Sequence, residues 1–408
     1  MQAMHGSAGA RHSRNRMIGC LIAVLALTAL VAPSMASAAK VTPPVTSKYL
    51  ALGDSLAFGY SQQLYNECES KGDPAACFEN GYANDYLKIT KGTANGVELV
   101  NNGCPGETTA SMIGKNLQPF LDGALTPSRE AEEKATGQPS PHVTGASPCA
   151  YQEGWNAFHK NGTGGPLHHP YVGKSQLESA LEVLGVSAAE GKPVEKITLN
   201  IGANDELQFL GGCEAKAKAE VEKSAGEGKY AKQVGEEIGK GEYVPSAEET
   251  PTQRGEKDAK IDGEHKAKEC IAAGANGLFA QIAKNTQAIY LALRHGASFG
   301  SVDYNGRIVY QGGYNPFGEI IAGQGELKPG TNELAGVENL IQNKVAHAFG
   351  ACVSDPQLTF NPRNKNEPIR LDKWTNMVNT TEFEGKKNGP DIHPTPLGYK
   401  KLAALLKG

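Results

Sequence analysis

The sequence predicts an α/β protein built on a parallel, doubly wound sheet. Short apolar runs recur along it, and each stops at glycine or polar turn residues. Tyr49–Leu52 runs into Gly53-Asp54-Ser55, Val97–Val100 into Asn101-Asn102-Gly103, and Ile197–Ile201 into Gly202-Ala203-Asn204-Asp205. Such runs read as buried strands ending in loops. Segments with apolar residues at helical spacing lie between later runs, and strands alternating with helices argue a parallel sheet. Right-handed crossovers then bring every strand end to one edge, where open α/β sheets bind ligands.

The first strand, Tyr49–Leu52, ends at Ser55, and Leu56-Ala57-Phe58-Gly59 can start a helix. Ser55 therefore sits between a strand end and a helix N-terminus, where unpaired N–H groups and partial positive charge suit a developing oxyanion. Residues 64–90 read as a loop closed by Cys68 and Cys77. The second strand ends in Asn101–Thr109, whose two glycines and proline make a tight loop with outward N–H groups. Residues 121–170, rich in proline and glycine, read as a loop-rich insertion beside the site. In it, His168 and His169 read as packing or cleft-wall residues, because adjacent histidines seldom share a metal. Ser175–Leu184 has helical spacing, and the third strand, Ile197–Ile201, follows.

Residues 214–268 change composition. They are rich in Lys, Glu, Ala and Gly, with Gly226, Gly228, Gly239 and Gly241 interrupting solvated helices. Both charge signs alternate, so this reads as a polar insertion and not a nucleic-acid patch. Leu278–Ala297 is an amphipathic helix. Arg307–Gln311 is the fourth strand, Asn332–Phe349 a helix and Gln357–Phe360 the fifth strand. A terminal helix spans Leu397–Lys407, with Pro396 suited to its first turn and Thr395 to its N-cap.

At 408 residues and 39% hydrophobic, the chain can bury a core without staples. The first 38 residues read as a signal peptide: a basic stretch at Arg11–Arg16, an apolar run Met17–Val31, and the cleavage site Ala36-Ser37-Ala38. That run is too short for a stable membrane span. Residues 39–408 are then the mature, secreted domain. Removing three leader arginines from the net charge of −4 leaves −7, which excludes nucleic acid or an anionic membrane as an expected partner. Export makes disulfides permissible. Cys20 leaves with the leader and seven cysteines remain. The preferred pairs are Cys68–Cys77, Cys104–Cys149 and Cys213–Cys270, with Cys352 left over; the alternative is that some are buried thiols. No C-x-x-C pair occurs, and no metal or cofactor is expected.

Four separated segments offer one catalytic set. Ser55 is the nucleophile candidate, His393 the base and Asp391 the residue placed to orient it. The Ser55 and Gly103 backbone N–H groups and the Asn204 side chain are the oxyanion donors. A serine needs a base to take its proton, and the base needs its other nitrogen held. Such a set suits acyl transfer to water.

In these blocks, Gly53-Asp54-Ser55-Leu56, Gly103, Gly202-x-Asn204-Asp205 and His393-Pro394, the chain resembles the SGNH/GDSL hydrolases, in particular the secreted actinobacterial lipases and esterases. The flanks Ala57–Tyr60 and Gly103–Thr109 match as well. The resemblance covers most of 49–205 and 270–407, not 214–268. It implies a flavodoxin-like three-layer α/β/α fold and metal-free hydrolysis of small-molecule or lipid esters by a monomer. One departure stands out. The family carries aspartate three residues before the histidine, where this chain has Pro390, and its acid is Asp391. Residues two apart in an extended segment face one side, so Asp391 can reach the imidazole. The alternative is a Ser-His dyad with the ring held by a backbone carbonyl near Gly389 or Pro390. Two rival functions stand beside the lipase/esterase: a carbohydrate O-deacetylase on the same site, and a binding protein that has lost turnover.

Overall fold

Strand β1 (Ser47–Gly53) is buried over its last five residues and sends alternate side chains into two cores. Leu50 and Leu52 enter one, Tyr49 and Ala51 the other. The structure, a computed structural model, describes residues 43–64, 78–114, 116–117, 121, 168, 171, 173–246, 248–317, 331–361, 371–377, 382–383, 386–387 and 391–407. The chain divides into two compact units, Met1–Pro43 and Pro44–Gly408. The first lies outside the described residues except for Pro43, and with it the expected signal peptide. The expected insertion at 121–170 is described only at residues 121 and 168, and Cys68, Cys77 and Cys149 lie outside the described residues.

Around β1 stand β2 (Val97–Asn101), β3 (Val194–Asn200), β4 (Arg307–Gln311) and β5 (Cys352–Ser354), in the order β2-β1-β3-β4-β5. Every neighbouring pair is parallel. This is the flavodoxin-like order, whose switch point lies between β1 and β3. On one face pack α3 (Gln176–Ala189), the C-terminal part of α6 (Pro251–Arg294) and α7 (Thr331–Ala348), through Leu177, Leu181, Ile289, Leu293 and Val345. On the other pack α2 (Tyr82–Ile89), the short α9 (Leu371–Trp374) and α10 (Pro396–Leu405), through Tyr82, Ala83, Trp374, Tyr399 and Leu402. The architecture is three-layered, α/β/α. Thr395 caps α10 with Pro396 at its start, as the sequence predicts. Ser175 and Glu178 close a capping box on α3, which the sequence reading did not single out.

The fifth strand is a correction. Gln357–Phe360 forms a short helix, α8, and the sheet is completed by Cys352–Ser354, whose Cys352 pairs with Val309. Asp355 Oδ1 accepts the Gln357 N–H at 2.9 Å, so the turn at Pro356 is closed locally and curls the chain away from the sheet edge.

The charged insertion is helical. α4 (Ala203–Gly226) leaves the end of β3, α5 (Lys229–Lys240) turns back, and α6 starts at Pro251 behind a Thr250–Gln253 capping box. At 44 residues α6 is about 66 Å long. Its first half belongs to the insertion and its second half to the sheet packing, so the expected helix at Leu278–Ala297 is the end of a longer one. Cys213 and Cys270 are joined across α4 and α6 with a Cα–Cα distance of 5.6 Å. Cys104 is also disulfide-bonded, and Cys352 is a free, exposed thiol. Among the described residues no helix is long and apolar enough to cross a membrane.

Candidate active site

Ser55 stands at the first position of a four-residue helix, α1 (Ser55–Phe58), directly after β1. Asp54 Oδ1 caps that helix by accepting the Leu56 N–H at 2.9 Å. Gly53 is held by Gln176, whose Oε1 accepts the Gly53 N–H at 2.6 Å and whose Nε2 donates to the Gly53 carbonyl at 2.9 Å. The serine is therefore carried on a short, tightly bonded turn at the switch point of the sheet.

His393 comes from the far end of the chain, on β7 (Asp391–Pro394), which pairs antiparallel with β6 (Thr375–Asn376). An extended backbone puts Asp391 and His393 on one side. His393 Nε2 lies 2.8 Å from Ser55 Oγ, and His393 Nδ1 lies 2.5 Å from Asp391 Oδ1. The other carboxylate oxygen, Asp391 Oδ2, accepts the Gln62 N–H at 2.8 Å. Burial pushes the Asp391 carboxyl up, but the His393 ring and the Gln62 and His393 N–H groups outweigh it and hold it below the ordinary value. Tyr60 presses its ring against the imidazole at 4.8 Å between centroids, and the Tyr314 hydroxyl donates to the Ile392 carbonyl at 2.6 Å. Tyr314 in turn stacks on Phe360. Tyr60 and Gln62, which hold the ring and its acid, escape motif reading because neither contact has a sequence spacing.

The expected oxyanion donors are arranged differently from one another. The Ser55 N–H donates to no atom among the described residues. Asn204, in the first turn of α4, spends one side-chain hydrogen on the Glu107 carbonyl at 2.9 Å and keeps the other. Gly103 does not fit its expected part. Its N–H donates to Asn101 Oδ1 at 2.9 Å, and Asn101 Nδ2 donates to the Ala57 carbonyl at 3.0 Å. Gly103 is a packing glycine instead: a Cβ there would fall 2.3 Å from the Phe58 nitrogen. Gly106, in the same loop, has a left-handed φ of 83°, and its N–H donates to no atom among the described residues. The sequence cue for it was the second glycine of the Asn101–Thr109 loop, next to the Glu107 that Asn204 holds.

Several carboxyls surround the site, and burial raises each. Asp54 is pushed up to about 7 and Asp205 to about 6, although Thr109 bonds oppose the latter. Asp205 accepts from the Thr109 N–H at 2.8 Å and hydroxyl at 2.6 Å, so it ties the β3 end to the Gly106 loop. Burial pushes Glu206 up to about 7 against the opposing effect of its hydrogen bond with Glu338, and burial and the Glu206 charge hold Glu338 well above the ordinary range. His168 is held below its ordinary value by burial beside Phe58, whose carbonyl lies 3.1 Å from its Nε2, so it packs. A narrow cleft of about 70 Å³ opens from Ser55 and His393, walled by Leu207, Leu210, Tyr314, Pro316, Phe317 and Ala335.

No protein-family model matches the sequence, and no curated protein matches it. Solved structures do match. An extracellular lipase from Streptomyces rimosus is 14% identical with a TM-score of 0.38, covering 88% of this chain and 98% of that one. Phospholipase A1 from Streptomyces albidoflavus NA297 is 16% identical with a TM-score of 0.40, covering 89% and 99%. A carbohydrate acetylesterase family member from Sinorhizobium meliloti is 11% identical with a TM-score of 0.36, covering 88% and 95%. At such identities the activities of those proteins do not carry over, and the function rests on the geometry above.

Proposed function

We propose that this chain is a secreted serine hydrolase of carboxylic esters, of the SGNH/GDSL type. The carrying observation is the continuous chain Ser55 Oγ, His393 Nε2, His393 Nδ1, Asp391 Oδ1, with contacts of 2.8 and 2.5 Å. In this reading His393 takes the Ser55 proton as Ser55 Oγ attacks the acyl carbonyl, and the tetrahedral oxyanion accepts hydrogen bonds from the Ser55 N–H, the Asn204 side chain and the Gly106 N–H. His393 then gives its proton to the leaving alcohol. Water, deprotonated by the same nitrogen, releases the acid and regenerates Ser55. Asp391 fixes the imidazole tautomer and stabilises the imidazolium. Gly106 takes the part first assigned to Gly103, whose N–H is already spent. The Cys213–Cys270 disulfide fits an oxidising, extracellular compartment.

The test is hydrolysis of p-nitrophenyl esters by the chain starting at Ala39, beside Ser55→Ala and Asp391→Asn. The reading requires turnover that vanishes with Ser55→Ala. It also requires that Asp391→Asn lower kcat by about 10⁴-fold, as expected of an orienting acid. A loss below about threefold would replace the triad by a dyad, since an orienting acid is worth far more. Ser55-independent turnover would reject the mechanism.

A further inference from the structure

A thin wall closes the far end of the Ser55 cleft. Among the described residues, Leu210 and Thr331 line the cleft on one face and a larger hollow on the other. The cleft measures about 70 Å³, and the hollow, a groove between α4, α6 and the first turns of α7, about 930 Å³. Each wall residue is only 6% exposed, so the wall is packed shut. It is also held in place from both helices. Leu210 stands one turn before Cys213, which the disulfide ties to α6. The Thr331 hydroxyl, at the start of α7, accepts from Asn315 Nδ2 at 2.8 Å. Toward the nucleophile, Asn204, Leu207 and Leu210 follow one another at three-residue steps on α4, and all three line the cleft. The wall therefore stands about 9 Å along the helix from Asn204.

A leaving alcohol must face His393 to be protonated, so the acyl group is the part of an ester that enters between α4 and α7. A cavity of about 150 Å³ holds the six carbons of benzene, and by that measure a cleft of about 70 Å³ holds roughly three. The lining also disfavours hydrocarbon. Glu206 of α4 and Glu338 of α7 face the same space, and an alkyl chain gives those carboxyls no hydrogen bond in exchange for the water it displaces. We infer that Leu210 and Thr331 determine acyl specificity: they close the acyl pocket and restrict turnover to esters of short acyl groups, about two to four carbons long. The inference rests on the ester-hydrolase reading and adds the acyl class and the two residues that set it. The groove beyond the wall takes no part in the reaction.

The experiment measures kcat/KM for p-nitrophenyl acetate, butanoate and octanoate with the wild type, Leu210→Ala and Thr331→Ala. Ser55→Ala serves as the blank, and thermal melting checks folding. The wild type should lose about tenfold or more between butanoate and octanoate, since a single methylene that a pocket does not fit costs about 10–200-fold. Leu210→Ala removes the side chain beyond Cβ and opens the cleft into the groove. Its octanoate-to-acetate ratio should rise about tenfold or more over wild type, by the same measure, and Thr331→Ala should move the ratio in the same direction. If Leu210→Ala does not fold, Leu210→Val, one carbon shorter than leucine, takes its place. A damaged fold lowers both rates and does not raise their ratio, so a rise in any of these variants upholds the wall. A wild type that hydrolyses octanoate as well as butanoate, or a ratio unchanged in the variants, overturns it and leaves Ser55-dependent hydrolysis standing. If no ester is hydrolysed in a Ser55-dependent way, the hydrolase reading fails and the role of the wall fails with it.

Discussion

His393 has one nitrogen on Ser55 and the other on Asp391, and everything else at the site serves that line. Asp391 is held from its far side by the Gln62 N–H, and the backbone between Asp391 and His393 is held by the Tyr314 hydroxyl. The oxyanion side is the more exacting. Asn204 is half-buried and anchored to Glu107, so its free hydrogen has a set direction. Removing one preorganised donor of this kind costs about 10²–10³ in kcat. Asn204→Ala should show that loss with KM little changed, measured on a short-chain ester; full rate would remove Asn204 from the oxyanion site. Ser55 and His393 lie in sequence blocks of their own, whereas Asp391 departs from the family spacing and its place follows only from the two-residue repeat of an extended segment. The choice between Gly103 and Gly106 could not be read from the sequence. Both are glycines of one loop, and what separates them is that the Asn101 amide turns back onto the Gly103 N–H.

The elements were legible where their pattern is long. The strand Arg307–Gln311 stands as read, and Pro396 and Thr395 mark the start of α10. The fifth strand was not legible: at three residues, Cys352–Ser354 has no alternation to detect, while Gln357–Phe360 has the composition of a strand and the local capping of a turn. The insertion shows the same limit. Its alternating charges indicate solvated helices, but nothing in composition tells that the last of them continues without a break into the sheet-packing helix. The disulfide between α4 and α6 closes a loop of 57 residues. Replacing both cysteines by alanine should lower stability by about 2–4 kcal/mol, read as a shift in urea midpoint. An unchanged midpoint would mean that the helices hold each other without it.

For the molecule as a whole, the burial of acids at the switch point sets its response to pH. Asp54 rises from 3.8 to about 7 and Glu206 from 4.5 to about 7, so in the folded state they keep protons that the unfolded chain has already released. Over that interval the unfolded state binds fewer protons, and stability falls as pH rises from about 4.5 to about 7. Asp391 acts in the opposite sense, since its lowered value gives stability that is lost only as pH falls through the acid range. Calorimetric Tm should therefore decline from mildly acid to neutral pH, and Glu206→Gln should flatten the decline. A Tm that rises across this interval would show that these carboxyls are ionised in the fold. The site thus lies where buried, proton-holding acids are tolerated at a cost in neutral-pH stability.

The most direct measurement is covalent labelling of the nucleophile. The mature chain would be treated with a fluorophosphonate, digested and mapped by mass spectrometry, with Asp391→Asn and His393→Ala treated in parallel. A Ser55–His393–Asp391 triad predicts a single adduct on the peptide containing Ser55, formed far more slowly in both variants. An unlabelled Ser55, an adduct on another residue, or labelling at the same rate without His393 would contradict it.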